Sequence, residues 1–412
     1  MALLDTASLI VTPNGYKASK LYSIVPSDGS GDMTFSRTGD TATRVNSSGL
    51  IATVNANIPR LDYLGSTCPK LLMEPQRTNV ILQSQDISNA SWTKTSSPTI
   101  VTNVAVSPDG TTTADSIQSE DASNFKYISQ SFSVSANSTY TFSIFIKKET
   151  TRTNFGGFGF TFFGNSLKVC YMTFNEVTGS LTIISNAMTI TSKVDDYGTY
   201  WRFNVTATDA FSNTTFKVEI YGTISTNGTS TGAGAGSART IWGAQLETGA
   251  FATSYIPTTT ASVTRNVDDA IKTSATALIG QTEGTMFYDV NLDSRIGNCS
   301  FTLYTSAGGT LIRILIANTY IAAEIYNSSI QTGNVLVNNT STGRLKLAIS
   351  YSNDFLNLYI NGTLGGTDTS TAIPACERFN IGLSNTNGIK INSAALWKTR
   401  LTNSELAQLT TL

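Results

Sequence analysis

Apolar residues in this chain recur at every second position over short runs, and that period constrains the fold more than any other feature. Tyr140, Phe142, Ile144 and Ile146 alternate with Thr141, Ser143 and Phe145. Trp201, Phe203 and Val205 alternate with Tyr200, Arg202 and Asn204, and Phe216, Val218 and Ile220 with Lys217 and Glu219. A period of two turns one face of a strand inward, so each run must find a partner layer. Turn residues separate the runs at Pro108-Asp-Gly110, Asn137-Ser138, Val177-Thr-Gly179 and Tyr197-Gly198. The same pattern returns in Arg344–Gly362, where Leu345, Leu347 and Ile349 answer Leu356, Leu358 and Ile360 across a turn at Ser352-Asn-Asp354. Asn361-Gly362 then supplies a hairpin turn that needs positive φ. These runs predict an all-β fold of antiparallel sandwiches. One helix start is legible near the end, where Thr402 and Glu405 form a capping box and Leu401 and Leu406 a hydrophobic staple.

Composition narrows the chemistry. Charged residues make up 13% of the 412, about half the roughly 25% usual for soluble domains, and the length predicts two or three domains. A net charge of -1 gives no electrostatic reason to expect nucleic acid or an anionic membrane as partner. No apolar run approaches the roughly 18 residues of a membrane span. The start, Met-Ala-Leu-Leu-Asp-Thr, lacks the basic and apolar regions of a signal peptide, which points to synthesis in a cytosol. There is no histidine, so imidazole-based nucleophile activation and histidine metal sites are excluded. Cys68, Cys170, Cys299 and Cys376 lack paired zinc-site spacing and read as free thiols, although Cys299 and Cys376 fall in one module on strands that could be neighbours.

The stretch Trp242-Gly-Ala-Gln-Leu-Glu-Thr-Gly-Ala-Phe-Ala-Thr-Ser-Tyr-Ile-Pro-Thr begins as an alternating strand with Trp242, Ala244 and Leu246 on one face. It breaks at Gly249 into an extended segment that runs to Arg265. Far upstream stand Phe35–Ile51, Pro59-Arg-Leu-Asp-Tyr63 and Leu71-Leu-Met-Glu-Pro-Gln-Arg-Thr-Asn79. Together these stretches resemble those that bracket a jelly roll in the tail and fibre proteins of tailed bacteriophages. Asn89-Ala-Ser-Trp92 and Ser107–Asp115 resemble carbohydrate-binding-module-like jelly rolls. Leu358-Tyr-Ile-Asn-Gly362, Phe379-Asn-Ile-Gly382 and Ala395-Leu-Trp397 with the final helix resemble laminin-G-like or concanavalin-like lectin sandwiches. The expected division is an N-terminal attachment region at 1–80, a jelly roll at 81–257, a linker at 258–269 and a second sandwich at 270–412.

The resemblance implies ligands held on aromatic platforms, for which Trp92, Tyr200, Phe158 and Phe160 are the candidates. Trp201 and Trp242 lie on alternating strands and read as core. Phe155-Gly-Gly-Phe-Gly-Phe-Thr-Phe-Phe163 is either a strand whose glycines allow close approach or an exposed aromatic surface. Arg37, Arg44, Arg60 and Arg77 suit an anion or docking site, or ties to carbonyls and to Asp40, Asp62 and Glu74. Thr231–Ser237 is glycine-rich without a following Gly-Lys-Ser/Thr, so it is no phosphate loop.

Catalysis has little support. The hydrolases of the lectin-sandwich superfamily carry Glu-x-Asp-x-Glu on one strand, which is absent. Asp289 and Asp293 can share a face, but they also suit the solvent side of a strand whose Met286, Tyr288, Val290 and Leu292 point inward. Asp195 with Asp196, and Asp268 with Asp269, read as linker or turn residues. No cofactor is expected, and structural calcium stays open at Asn353 and Asp354. The expected protein is a non-enzymatic bacteriophage virion component, a tail fibre or adhesin for host polysaccharide. The resemblance implies contacts to other virion proteins through the N-terminal region and a homo-oligomer, with a trimer favoured. A purely structural spacer and a glycan depolymerase are the alternatives.

Overall fold

The computed structural model describes residues 3–39, 42–118, 125–152, 154–225, 238–295, 297–383 and 388–412. It is all-β, with one α-helix among the described residues, Asn403–Thr410. The glycine-rich Thr231–Ser237 and Asp40 lie outside the described residues.

The chain forms two compact units that cut across the linear division read from the sequence. The first comprises Met1–Asp40, Val54–Gln76 and Asn266–Leu412, and the second Thr41–Thr53 and Arg77–Arg265. The chain therefore passes between units at four junctions, and the jelly-roll region is an insertion within the other sandwich.

In the first unit, strand Leu9–Lys17 pairs with Ile389–Trp397, bringing Leu9 opposite Leu396. Strand Lys20–Val25 follows, then Met33–Ser36, which pairs with Asp269–Lys272. That strand pairs in turn with Arg378–Leu383. Lys70–Met73 pairs with the far half of Ile389–Trp397, Leu71 opposite Ile391. The N-terminal strands thus close the C-terminal sandwich, and they correct the expected separate attachment region at 1–80. Their partners lie more than two hundred residues away, a relation no local pattern reveals. Both arms of the sheet meet in one core, where Tyr288 of Glu283–Leu292 packs on Phe301 of Cys299–Tyr304 at 5.6 Å. Leu345, Leu347, Ile349, Leu356 and Leu358 point into this core as expected. Asn361 and Gly362 both have positive φ in a two-residue turn. Thr402 makes the capping box with Glu405, while Leu401 and Leu406 are buried together.

A group of buried charges lies inside this unit. Arg37, Arg60 and Asp268 are 1%, 0% and 1% exposed, with Glu74 at 5%. The Asp268 carboxylate takes Arg37 Nη1 at 3.0 Å, Arg60 Nη2, and the Glu74 backbone N–H at 2.9 Å. Arg60 also reaches Glu74 at 2.7 Å, and Arg37 donates to the carbonyls of Asn55 and Ile58. The carbonyl and Glu74 ties match the structural alternative for these arginines. Their shared acid, Asp268, had read as a linker or turn residue and is instead the centre of the group. Asp62 pairs with Lys390 at 3.2 Å.

The second unit stacks two six-stranded antiparallel sheets over a core of alternating side chains from both, Phe142, Phe203 and Leu246 facing Phe158, Phe160 and Val218. The outer face of the first sheet is also covered. Phe145, Tyr200 and Trp242 pack there with Tyr255, whose ring lies 4.6 Å from the Trp242 ring. Trp242 therefore faces away from Ala244 and Leu246, contrary to the simple alternation. Gly243, at φ +65, makes a bulge opposite Ser143–Phe145 that reverses the parity.

The segment expected as a linker is tied down at its start, Thr258 N–H donating to Ser84 Oγ at 2.9 Å and its hydroxyl to the Ile81 carbonyl, and so is the stretch before it. Glu247 accepts from Thr253 N–H and Oγ1 at 2.6 and 2.7 Å, and Gln245 from Ile256 N–H at 2.7 Å. Asn79 spends its whole amide here: Nδ2 donates to Ala244 and Ile256 carbonyls, and Oδ1 accepts from Ile81 and Leu246. Strand Arg77–Asn79 pairs with Val263–Arg265. The two motifs that bracket the module in sequence are therefore interlocked in space.

Candidate functional site

None of the four aromatic candidates presents a face to a ligand. Trp92 is 1% exposed, belongs to the core, and donates its indole N–H to the Gln83 carbonyl at 3.2 Å. Tyr200 is buried with its hydroxyl on the Val106 carbonyl at 2.8 Å. Phe158 and Phe160 pack edge-on against Phe142 at 5.6 and 5.8 Å in the core. Trp92, Phe158 and Phe160 point into the core between the sheets, and Tyr200 lies on the outer sheet face that Tyr255 covers, so burial wins over display.

The glycines of Phe155–Phe163 serve close approach. With phenylalanines 158, 160 and 162 inward, Gly157 and Gly159 lie on the outer face, where Gly159 stands opposite Glu219 and Tyr171 on its two neighbours. A Cβ at Gly159 would lie 2.2 Å from Glu219 Oε2 and 3.1 Å from Tyr171 Cε1. The missing side chain thus makes room for both to lie across the strand.

That outer face carries an aromatic group missed in the sequence reading. Tyr127, Tyr171 and Phe125 are half-buried around Tyr221. Tyr127 and Tyr221 rings are 4.9 Å apart, Phe125 stacks on Tyr171 at 6.1 Å, and Phe125 meets Tyr221 edge-on at 6.0 Å. Glu219, 2% exposed, is held from both sides. Its Oε2 accepts from Tyr221 OH at 2.7 Å, and its Oε1 lies 2.5 Å from Lys217 Nζ. Burial, and then the Glu219 charge, raise the pKa of Tyr171 and Tyr221, so both phenols stay protonated at neutral pH. Burial pulls the Lys217 pKa down, but the hydrogen bond and charge of Glu219 outweigh it and keep the ammonium charged. The available signal was parity: Tyr127 and Tyr221 share the outward register of Ser129, Lys217 and Glu219.

Beyond Tyr127 the strand Tyr127–Ser133 continues outward through Ser129, Ser131 and Ser133, and Thr93 stands opposite Ser129. An open cleft of about 590 Å³ begins there, lined by Ser91, Thr93, Ser131, Ser133 and Ser262 with Val80, Leu82 and Phe132. Gln130 at its base is committed to the Leu82 backbone, at 3.0 and 2.7 Å. The hydroxyls of the cleft can hydrogen-bond a sugar chain without charge, and the Tyr127 ring shares the outward register of Ser131 and Ser133 along the same strand.

The remaining candidates, Asp195 and Asp196 apart, lie in the first unit. Asp354 sits at φ +56 in the turn joining Gly343–Ser352 to Phe355–Ile360, its N–H on the Thr371 carbonyl, while Asn353 Oδ1 accepts from Ile373 N–H at 3.0 Å. Two side chains, one already engaged, fall short of the six to eight oxygens that calcium takes. Among the described residues no group of three His, Cys, Asp or Glu side chains is placed to hold a metal. Asp289 is buried and bound by Arg344 at 3.0 and 2.7 Å and by Asn392 at 2.8 Å, whereas Asp293 is exposed near Lys390. Asp195 pairs with Lys193 and Asp196 with Lys148. A second cleft, of about 440 Å³, is lined by Thr273, Ser274, Thr276, Ala277, Glu377 and Arg378 and has no ring to stack on.

No protein-family model matches the sequence, and no curated protein matches it. Solved structures of distant similarity include an intramolecular trans-sialidase from leech (19% identity, 32% of this chain and 24% of that one, TM-score 0.28). A botulinum neurotoxin serotype D binding domain matches at 11% identity over 34% of this chain and 39% of its own, TM-score 0.30. Domains LG4-5 of the mouse laminin α1 chain match at 10% identity over 68% of this chain and 88% of theirs, TM-score 0.23. The chain thus spans 24% and 39% of the first two. Likenesses this distant carry no argument about what the chain does.

Proposed function

We propose that the protein is a non-catalytic, glycan-binding component of a bacteriophage virion, of tail-fibre or adhesin type, that attaches the particle to host surface polysaccharide. The observation that carries the binding reading is the half-buried tyrosine group beside a hydroxyl-lined cleft on one face of the inserted sandwich. The virion context draws on the paired motifs around that sandwich. The absence of catalysis is supported by the acids themselves, since Asp289 is locked by Arg344 and Glu219 by Lys217 and Tyr221. Shallow stacking and neutral hydroxyl contacts give weak single sites, so attachment depends on many copies. A homo-oligomer, with a trimer favoured, would supply them, joined to other virion proteins through the sandwich that the N-terminal strands help to build.

The test is retention of the purified protein on immobilised bacterial surface polysaccharide, with the polymer's length followed by size-exclusion chromatography. Retention without shortening supports the reading. Shortening establishes a depolymerase, and no retention on any host polysaccharide refutes glycan binding.

A further inference from the structure

Resting on the glycan-binding reading, we propose that the tyrosine face selects uncharged sugars and turns away carboxylated, sulfated and phosphorylated ones. Strand Thr215–Ile224 contributes Lys217, Glu219 and Tyr221 to this face, strand Tyr127–Ser133 contributes Tyr127, and strand Lys168–Asn175 contributes Tyr171. On strand Thr93–Thr95 the one cation, Lys94, stands opposite Ile128, whose side chain is in the core, and its Nζ donates to the Ser88 carbonyl at 2.7 Å. Strand Phe155–Phe163 adds glycines and Thr161. On strand Lys168–Asn175 the cation Lys168 shares the register of the core residue Cys170 and lies over the Phe211 ring at 3.7 Å. Among the described residues of these strands, Lys217 is therefore the cation on the outward register that would meet an anionic ligand.

Its charge is already spent. Lys217 Nζ lies 2.5 Å from Glu219 Oε1, and the other carboxylate oxygen takes Tyr221 OH. Gly159 is the reason the carboxylate can lie there, since any side chain at that position would displace it. A second carboxylate, sulfate or phosphate arriving on this face meets a buried anion first and a neutralised cation second. An uncharged ring loses nothing by the same arrangement. It stacks on Tyr127 or Tyr171 and exchanges hydrogen bonds with hydroxyls such as those of Thr93 and Ser131. Glu219 is thus a specificity-determining residue, acting by holding Lys217.

The experiment uses the full chain with dextran, galactomannan and xyloglucan, and the carboxymethylated and sulfated forms of whichever binds. Expected are retention of a neutral polymer, little change from 50 to 500 mM salt, and at least tenfold weaker binding of its charged derivatives. In Glu219→Gln, which frees Lys217, the discrimination should shrink severalfold and binding of the derivatives should become salt-sensitive. Charged derivatives that bind wild type as well as the parent polymer overturn the proposal, as does a correctly folded Glu219→Gln with unchanged discrimination. Should that variant not fold, the wild-type comparison and its salt series decide alone. Failure of every polymer, neutral and charged, to bind overturns the glycan-binding reading itself.

Discussion

Asp268→Asn should destabilise the discontinuous sandwich more than any surface charge change. Asp268 is 1% exposed and accepts from Arg37, Arg60 and the Glu74 N–H through two oxygens. Asparagine keeps the shape but offers one oxygen, and its NH₂ must face one of the guanidinium groups. Two buried cations would then share only Glu74, itself bonded to Arg60. Removing one partner from a buried ion group costs about 3–5 kcal/mol, because the remaining charge stays out of water. For a unit of about 200 residues each kcal/mol moves the midpoint by about 2–4 °C, so a fall of about 6–20 °C follows. Differential scanning calorimetry of the full chain would show it in one unit's transition. Asp293→Asn is the control, since Asp293 is exposed and lies 3.7 Å from Lys390, and it should move the midpoint by less than about 2 °C. If the two variants lose the same stability, the buried ion group does not organise this unit.

Two further outcomes follow from the topology and the thiols. A fragment from residue 266 to 412 should fail to fold alone, by circular dichroism and proteolysis, because Leu9–Lys17 and Met33–Ser36 lie in the middle of its sheet; a cooperatively folded fragment would contradict the discontinuous unit. In native protein only the exposed Cys68 should react with a thiol reagent at pH 8, and all four cysteines should react once the chain is unfolded without reductant. Burial pushes the thiols of Cys170, Cys299 and Cys376 up to about 12, so stability is present below about pH 9 and falls above it, where the unfolded chain loses these protons first. Cys299 begins a strand whose far end, Tyr304, pairs with Arg378, which separates it from Cys376 by roughly five strand residues, about 16 Å, too far for a disulfide.

What sequence reasoning could see was local. Periodicity identified the inward faces of the strands around Phe142, Phe203, Val218 and Leu347, and the capping box located the helix. It failed where a relation was non-local or a parity was broken. The N-terminal strands read as a separate attachment region because their partners lie at the other end of the chain. Thr258 looked like linker because nothing local shows Ser84 and the Ile81 carbonyl binding it. Trp242 was assigned the wrong face because one glycine bulge reverses the alternation. The binding candidates failed for a related reason: Trp92, Phe158 and Phe160 take inward positions and are core, and the outer face that holds Tyr200 is covered by Tyr255 from a later segment. The smaller signal, tyrosines sharing the register of Ser129 and Lys217, marked the surface that is left half-open.

The most direct test of the account is the affinity of the Tyr127→Ala, Tyr171→Ala double variant for a neutral polysaccharide that the wild type retains. Each stacked ring is worth about 0.5–1.5 kcal/mol, so single-site affinity measured by titration calorimetry should fall by about 5- to 150-fold with the melting of the core unchanged. Undiminished affinity in the folded double variant would show that the sugar is held elsewhere.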